Sequence, residues 1–531
     1  MITIDNFTQL VPLLPLLIVT GTAVLVMVMI GLWRNYRLTA VLSILGLICT
    51  ALVAIYQLPG VQPEDGLAQQ VLYYADNQIT PLIFIDTFTQ LFTALIALTA
   101  CCVAIFSYSY LRELNDSREE YFLLLLIATI GAVVMVGSNH FVSMVLGLET
   151  LSISLYGMLA YPLHGNAKTA EQLSAAALES AAKYLVLSAV ASGFILFGMA
   201  LSYALQGTLQ FDDMETTVIS CAETSFYVDA ASAATSGITL MALLLISAGI
   251  AFKLSLVPFH IWTPDVYEGA PIPATAYLAT VGKVAMFVVL MRYVRNTYAL
   301  EFDSVLLVYS LIAAASILAG NLLALLQKNL KRILAYSSIA HIGYLLIALI
   351  AQGRVPAPDG LGIEAVSFYL LAYTITTLGA FGVISVLSSS ERELVTVTDY
   401  RGLFWRRPWL AAIFTAMLLS LAGIPLTIGF IGKFYLFFAG VEASLWWLLL
   451  ALVVGSGIGL YYYLRIVYQM LLPAEDATTL PTRDNDSTAP YVVLILLVIL
   501  LLGLGVYPAP IMTLFSALIL NHPFGAADMA G

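Results

Sequence analysis

Apolar residues in this chain come in long unbroken runs, not in strict alternation with polar ones. A helix that crosses a bilayer needs ~20 predominantly apolar residues. Fourteen runs meet that length: about 8–31, 38–58, 81–108, 120–137, 140–161, 176–205, 236–258, 272–295, 304–327, 331–352, 363–388, 409–438, 444–472 and 489–519. A transmembrane β-barrel would show alternating segments of ~10 residues, which these are not. The pattern predicts an all-α integral membrane protein with about fourteen transmembrane helices. The first run follows no basic leader or small-residue cleavage site and is too long for a signal-peptide core, so it reads as a retained first helix.

Two of the runs are interrupted. The seventh reads AGIAFKLSLVPFHIW (248–262) and the twelfth LAGIPLTIGFIGKFYLF (421–437), each with proline and one lysine at the break, Lys253 and Lys433. They lie five helices apart. Helices four to eight and nine to thirteen therefore form two five-helix units of opposite topology, since five is odd. Matching interrupted segments in two halves point to a transport site. A weaker echo pairs ETLSISLYGMLA (149–160) with SSIAHIGYLLIA (337–348). The expected division is a three-helix segment at 1–115, a first five-helix repeat at 116–300, a second, inverted one at 301–473, and a cytoplasmic linker with a last helix at 474–531.

Composition sharpens this picture. Hydrophobic residues make up 61% of the chain and charged ones 10%, more apolar surface than a soluble fold can hide. The net charge of −11 comes mostly from hydrated loop carboxylates and excludes a nucleic-acid partner. Cytoplasmic loops carry the excess of Lys and Arg. With the N-terminus outside, those loops hold 14 basic residues (Arg34, Arg37, Arg112, Arg118, Lys168, Lys328, Lys331, Arg332, Arg392, Arg401, Arg406, Arg407, Arg465 and Arg483) and the outer side holds Arg292, Arg295 and Arg354. Both termini are then outside the cell, on the periplasmic side. The outer loops 59–80 and 206–235 carry no Lys or Arg, and 474–488 is a polar linker. Cys49, Cys101, Cys102 and Cys221 show no metal, cluster or haem spacing.

Five ionisable side chains sit well inside apolar runs: Glu149, Lys183, Lys253, Lys283 and Lys433. Each costs at least ~2.5–3.5 kcal/mol at the bilayer centre unless it faces the bundle interior, a partner or internal water. At ~1.5 Å per residue, Glu149 and Lys283 fall near the midplane. Lys253 and Lys433 fall at the breaks, where freed carbonyls can hold water or an ammonium group. Burial disfavours a lysine's charged form and a nearby carboxylate favours it, so a Glu–Lys pair suits proton transfer. Arginine, which keeps its charge, does not. All the intramembrane cations here are lysine, whereas the loops hold mostly arginine.

Several residues have two readings. Lys183 either joins a relay or pairs with Glu179 at i,i+4. Glu149 and Lys253 either relay protons or form a static ion pair. Lys433 either carries protons or packs. His341 either relays protons or is a neutral ring bonded to Ser or Tyr. His260 is placed at the inner mouth, Asp86 at the outer interface, and Asp265 and Glu268 on a loop or helix end.

The stretches KLSLVPFHIWTPDVYEGAPIPATAYLATVGKVA (253–285), RGLFWRRPWLAAIFTAMLLSLAGIPLTIGFIGKFY (401–435) and LGLETLSISLYGML (146–159) resemble the antiporter-like membrane subunits of bacterial respiratory complex I, the proton-translocating NADH-quinone oxidoreductase, and subunit N most of all. The helix count fits N better than L, and lysine at 433 departs from subunit M. The resemblance implies a chain without cofactor or metal of its own, in a complex whose other subunits hold NADH, FMN, iron–sulfur clusters and quinone. It implies that Glu149 pairs with Lys253, that Lys283 is the central relay, and that Lys433 leads to the outer side. Implied neighbours are subunits M, K and L in the bacterial inner membrane. A subunit of a multisubunit cation/proton antiporter, a non-pumping scaffold and a lone secondary transporter are the rival readings.

Overall fold

A computed structural model describes residues 7–58, 82–113, 118–161, 168–211, 230–297, 299–355, 361–388, 393–473 and 488–520. The segment 59–80, most of 206–235, residues 474–487, Cys221, Arg392 and Arg483 lie outside the described residues.

The helices are α1 (Leu14–Leu32, after a 3-10 turn Phe7–Leu13), α2 (Tyr36–Tyr56), α3 (Thr87–Tyr110), α4 (Glu120–Val136), α5 (Phe141–Leu159), α6 (Lys168–Gln206), α7a (Ala230–Lys253), α7b (Trp262–Gly269), α8a (Ile272–Tyr277), α8b (Lys283–Asn296), α9 (Asp303–Leu325), α10 (Leu330–Arg354), α11 (Gly362–Leu387), α12a (Pro408–Ala422), α12b (Ile428–Glu442), α13 (Trp446–Leu471), α14a (Ala489–Val506) and α14b (Ala509–Leu520). A π-helical turn, Leu278–Gly282, joins α8a to α8b. Eleven helices are long and apolar enough to span a membrane. Three shorter apolar ones fill the fourth, seventh and twelfth places in the order, so the fourteen expected spans are all present and the seventh and twelfth are the broken ones. Among the described residues no β-strand forms.

Contacts between helix ends divide the bundle into two faces. On the first face, where α1 begins, Gln90 near the start of α3 donates to Pro12 O, and Arg292 near the end of α8b reaches Asp86 at the start of α3. There too Leu361 N, before α11, donates to Glu442 at the end of α12b. On the second face Arg34 after α1 pairs with Glu120 at the start of α4. Arg332 at the start of α10 pairs with Asp265 and Glu268 of α7b, and Arg465 near the end of α13 donates to Leu325 O and Gln327 O after α9. This is the alternation that fourteen consecutive spans require.

Five of the six tryptophans are exposed at helix ends: Trp33, Trp405 and Trp409 on the second face, Trp446 and Trp447 on the first. They mark two interfacial belts. The sixth, Trp262, is buried at the α7 break. The helices differ sharply in burial. Nearly every residue of α8b, α10 and α11 is buried, whereas α1, α6 and α14a show much of their apolar surface to the outside. The core therefore runs through the middle of both five-helix units. Close approach is set by small residues. A Cβ on Gly131 would lie 2.6 Å from Leu151 N in the α4–α5 pair, and one on Gly320 would lie 2.8 Å from Ala340 N in the α9–α10 pair.

The structure finds three of the charges placed at the membrane faces buried. Arg292, counted on the outer side, lies near the first-face end of α8b, is 2% exposed and pairs at 2.6 Å with Asp86, which caps α3 at the same face and is itself buried. Arg292 also donates to Val136 O and Thr89 Oγ1. Lys331 is likewise not a hydrated loop cation. It is buried in the first turn of α10 and pairs at 2.6 Å with Glu393, which also accepts from Tyr110. A partner more than 60 residues away hides each of these charges.

Candidate functional site

The α7 break comes from local sequence. α7a ends at Lys253, Ser255 takes a positive φ of 63°, and proline at 258 cannot donate to a continuing helix. Leu254 O is thereby left without a helical donor, and Lys283 Nζ takes its place at 2.6 Å. Lys283 also donates to Ser255 Oγ at 2.6 Å, and Thr263 Oγ1 donates to the same serine. Lys283 is 1% exposed.

The α12 break is built differently and ends in the same chemistry. Gly423 has φ 88°, its N–H bonds Ser420 O, and Ile424 N bonds Leu419 O, the two bonds of a Schellman cap. Leu421 O and Ala422 O stay free of the ladder, and Lys433 Nζ donates to both at 3.0 Å. The glycine is needed twice, since a Cβ there would lie 3.0 Å from Lys433 Cδ. Freed backbone carbonyls thus solvate a buried ammonium at both breaks.

Lys253 is held by side chains. Its Nζ donates to Ser152 Oγ at 2.8 Å and to Ser188 Oγ, which also accepts from Tyr156 OH. Glu149 Oε1 accepts from Ser192 Oγ, one helical turn along α6 from Ser188. The expected Glu149–Lys253 pair is therefore not a direct ion pair. Serines from α5 and α6 stand between the two groups. Hydroxyls of Thr50, Ser107 and Thr374 bond back to a carbonyl of their own helix, whereas Ser152, Ser188 and Ser192 bond across helices.

Beyond Lys283 the polar line continues into the second unit. Tyr373 OH donates to Ala279 O in the π-helical turn before Lys283 and bonds Ser338 Oγ at 2.7 Å. His341 lies one turn along α10 from Ser337 and Ser338. Its Nδ1 bonds Tyr369 OH at 2.6 Å and its Nε2 faces Tyr463 OH at 3.3 Å, which in turn bonds Ser337. The Tyr344 ring touches both His341, with ring centroids 5.6 Å apart, and Lys433, with Nζ 5.2 Å from the centroid.

Glu149, Lys253, Lys283, His341 and Lys433 are therefore brought into one lateral row across α5, α7, α8, α10 and α12, with hydroxyls from α5, α6, α11 and α13 between them. Lys183 stands apart. It is half-exposed on α6 toward the second face, pairs with Glu179 at 2.7 Å and lies 3.7 Å from Asp265, the i,i+4 geometry foreseen for it. His260 is half-buried in the α7 break. The bridging serines and tyrosines escaped sequence reasoning. The signal for them was spacing: Ser188 and Ser192, and Tyr369 and Tyr373, stand at i,i+4 and so share a helix face. Among the described residues no cluster of His, Cys, Asp and Glu forms a metal site.

A family model described as NADH:quinone oxidoreductase/Mrp antiporter, TM, matches residues 138–459, a stretch that contains the whole row. Among solved structures the chain is similar to one from respiratory complex I of Thermus thermophilus, at 29% identity and a TM-score of 0.74, over 94% of this chain and 98% of that one. A chain of the membrane-bound sulfane sulfur reductase, an archaeal respiratory membrane complex, matches at 22% identity and a TM-score of 0.75, over 96% and 97%. A chain of the Mrp complex from Dietzia sp. matches at 20% and 0.75, over 97% of each. The last two likenesses carry the fold alone.

Proposed function

The chain belongs to the NADH:quinone oxidoreductase/Mrp antiporter membrane-subunit family, and from that premise we propose that it is a proton-translocating subunit of a respiratory NADH-quinone oxidoreductase, of the subunit N type. The likeness to the complex I chain over almost the full length of both supports the complex I assignment. The observation that carries proton translocation is the row of lysines held by serines and freed carbonyls. Nothing in such a row is shaped for an organic substrate, and each lysine has acceptors positioned for its charged form. A guanidinium would be held as well but would not give up its proton.

In this reading the second face, with its excess of Lys and Arg, is cytoplasmic, and both termini lie on the periplasmic side. Quinone reduction takes place in other subunits, which hold NADH, FMN, clusters and quinone, and this chain carries no redox centre. Subunits M, K and L are its expected neighbours in a bacterial inner membrane. A change at the coupling side moves Glu149 relative to Ser192. The charge next to Lys253 is thereby altered, Lys253 passes a proton toward Ser255 and Lys283, and the tyrosine–histidine cluster carries it on to Lys433.

The rival within the same family is a cation/proton antiporter subunit. The assembled complex, reconstituted in sodium- and potassium-free medium, decides between them. Acidification driven by NADH and stopped by a quinone-site inhibitor supports the complex I role. Proton movement that needs a Na⁺ or K⁺ gradient and ignores NADH overturns it.

A further inference from the structure

Eleven residues beyond His341 on α10, nine beyond Lys433 on α12b and five before Tyr369 on α11, the same three helices converge on the first face. Glu364 sits there in the first turn of α11, 8% exposed. Its Oε2 is buried with no hydrogen-bond partner among the described residues. Gln352, near the end of α10, also has a buried Oε1 without a partner, and its side chain lies against Gly362, where an added Cβ would come within 2.7 Å of it. Glu442 closes α12b, is exposed, and accepts from Leu361 N at 3.2 Å.

Buried polar atoms in native proteins are almost always bonded, and an exception asks for a role. An ionisable side chain within a membrane span is expensive and marks a proton or ion path by default. At ~1.5 Å per residue, Glu364 lies ~7–8 Å nearer the first face than Tyr369, and Glu442 ~13 Å nearer than Lys433. The Tyr369 ring packs on Gly432, beside Lys433, so Tyr369 marks the depth of that lysine. The charged groups at this end of the three helices are Glu442, which closes α12b, and Arg354, the exposed last residue of α10. No cation holds Glu364 in an ion pair among the described residues, in contrast to Asp86 with Arg292 and Glu393 with Lys331.

We propose that Glu364 is the proton-release group of this chain: it accepts the proton that Lys433 gives up and passes it to water at the first face, with Glu442 at the mouth. The inference rests on the translocation reading above. The step balances without a further reactant. The Lys433 ammonium becomes a neutral amine, the Glu364 carboxylate becomes a carboxylic acid, and the acid then loses its proton to bulk water. A carboxylate suits this place because it is a weak enough base to release a proton to solvent, which a second lysine is not.

The test uses the assembled complex in vesicles, with Glu364→Gln, Glu364→Asp, Glu442→Gln and Lys433→Ala compared for NADH oxidation and NADH-driven acidification of the lumen. Glu364→Gln keeps the size and hydrogen-bonding capacity of the side chain, and is expected to slow both activities by at least about tenfold. Glu364→Asp is expected to recover most of the loss, and Glu442→Gln to lose less than Glu364→Gln. Infrared difference spectra of the wild type during turnover should show the C=O band of a protonated carboxylic acid that Glu364→Asp shifts, a signal no packing role produces. Normal acidification by Glu364→Gln beside a failing Lys433→Ala overturns the release role and leaves the translocation reading standing. Normal acidification by both overturns both. If Glu364→Gln does not assemble, absence of the shifting band overturns the inference on its own.

Discussion

The Arg292–Asp86 pair offers a quantitative check on how this bundle hides charge. The guanidinium is 2% exposed and the carboxylate 7%. Asp86 Oδ1 also accepts from Thr89 N at 2.7 Å and Thr89 Oγ1 at 2.6 Å, so it caps α3 as well. Removing one partner of a buried pair strands the other, at a cost of ~3–5 kcal/mol. Asp86→Ala adds the loss of an N-cap, ~1 kcal/mol. The double Arg292→Ala, Asp86→Ala variant strands no charge, so its loss should not exceed that of the worse single variant and should fall short of the summed single losses by at least ~3 kcal/mol. The assay is the midpoint temperature at which the detergent-solubilised complex dissociates on a native gel. The double variant should dissociate at a temperature close to that of the worse single variant, and not below it by the other variant's full shift. Strictly additive shifts would refute the claim that the two charges satisfy each other.

Two further outcomes follow from the breaks and the row. A Cβ on Gly429 would lie 1.9 Å from Ser420 O, where the two halves of α12 meet, whereas one on Gly457 in α13 meets nothing within 4 Å. Gly429→Ala should therefore lower the assembled yield by the equivalent of ~1–3 kcal/mol of overpacking, and Gly457→Ala should leave it unchanged or slightly raised; native-gel yields check both. Lys183 lies in an exposed cluster with Glu179 and Asp265, so Lys183→Arg should keep acidification within about twofold of wild type, whereas Lys283→Arg, which puts a fixed charge at the α7 break, should abolish it. Equal losses in the two would place Lys183 in the relay.

The spans were legible because bilayer thickness imposes a length on every one of them. The run expected at 331–352 is α10 at Leu330–Arg354, and that at 444–472 is α13 at Trp446–Leu471. The breaks were legible because proline and glycine leave carbonyls unbonded wherever they fall. The buried lysines were legible by cost, since a lysine in an apolar run needs a reason. Partners were not. Arg292 and Asp86 are 206 residues apart, and Lys331 and Glu393 are 62 apart, so Arg292 read as an outer-side charge and Lys331 as a loop charge until the fold paired them. The Glu149–Lys253 pairing was implied without its bridging groups, because serines carry no hydropathy signal: Ser152 and Ser188 bond Lys253, and Ser192 bonds Glu149. Glu364 passed unremarked for a related reason: it stands near a helix end, where a carboxylate looks hydrated until its burial is known.

The central claim is that Glu149 and Lys283 carry protons rather than hold helices together. Membrane vesicles bearing Glu149→Ala or Lys283→Ala, with assembly verified on a native gel, test it most directly when NADH oxidation and acidification of the vesicle interior are recorded together. The account predicts an assembled complex in which both activities collapse. Normal rates of both in an assembled complex would contradict it and leave the intramembrane charges a structural role.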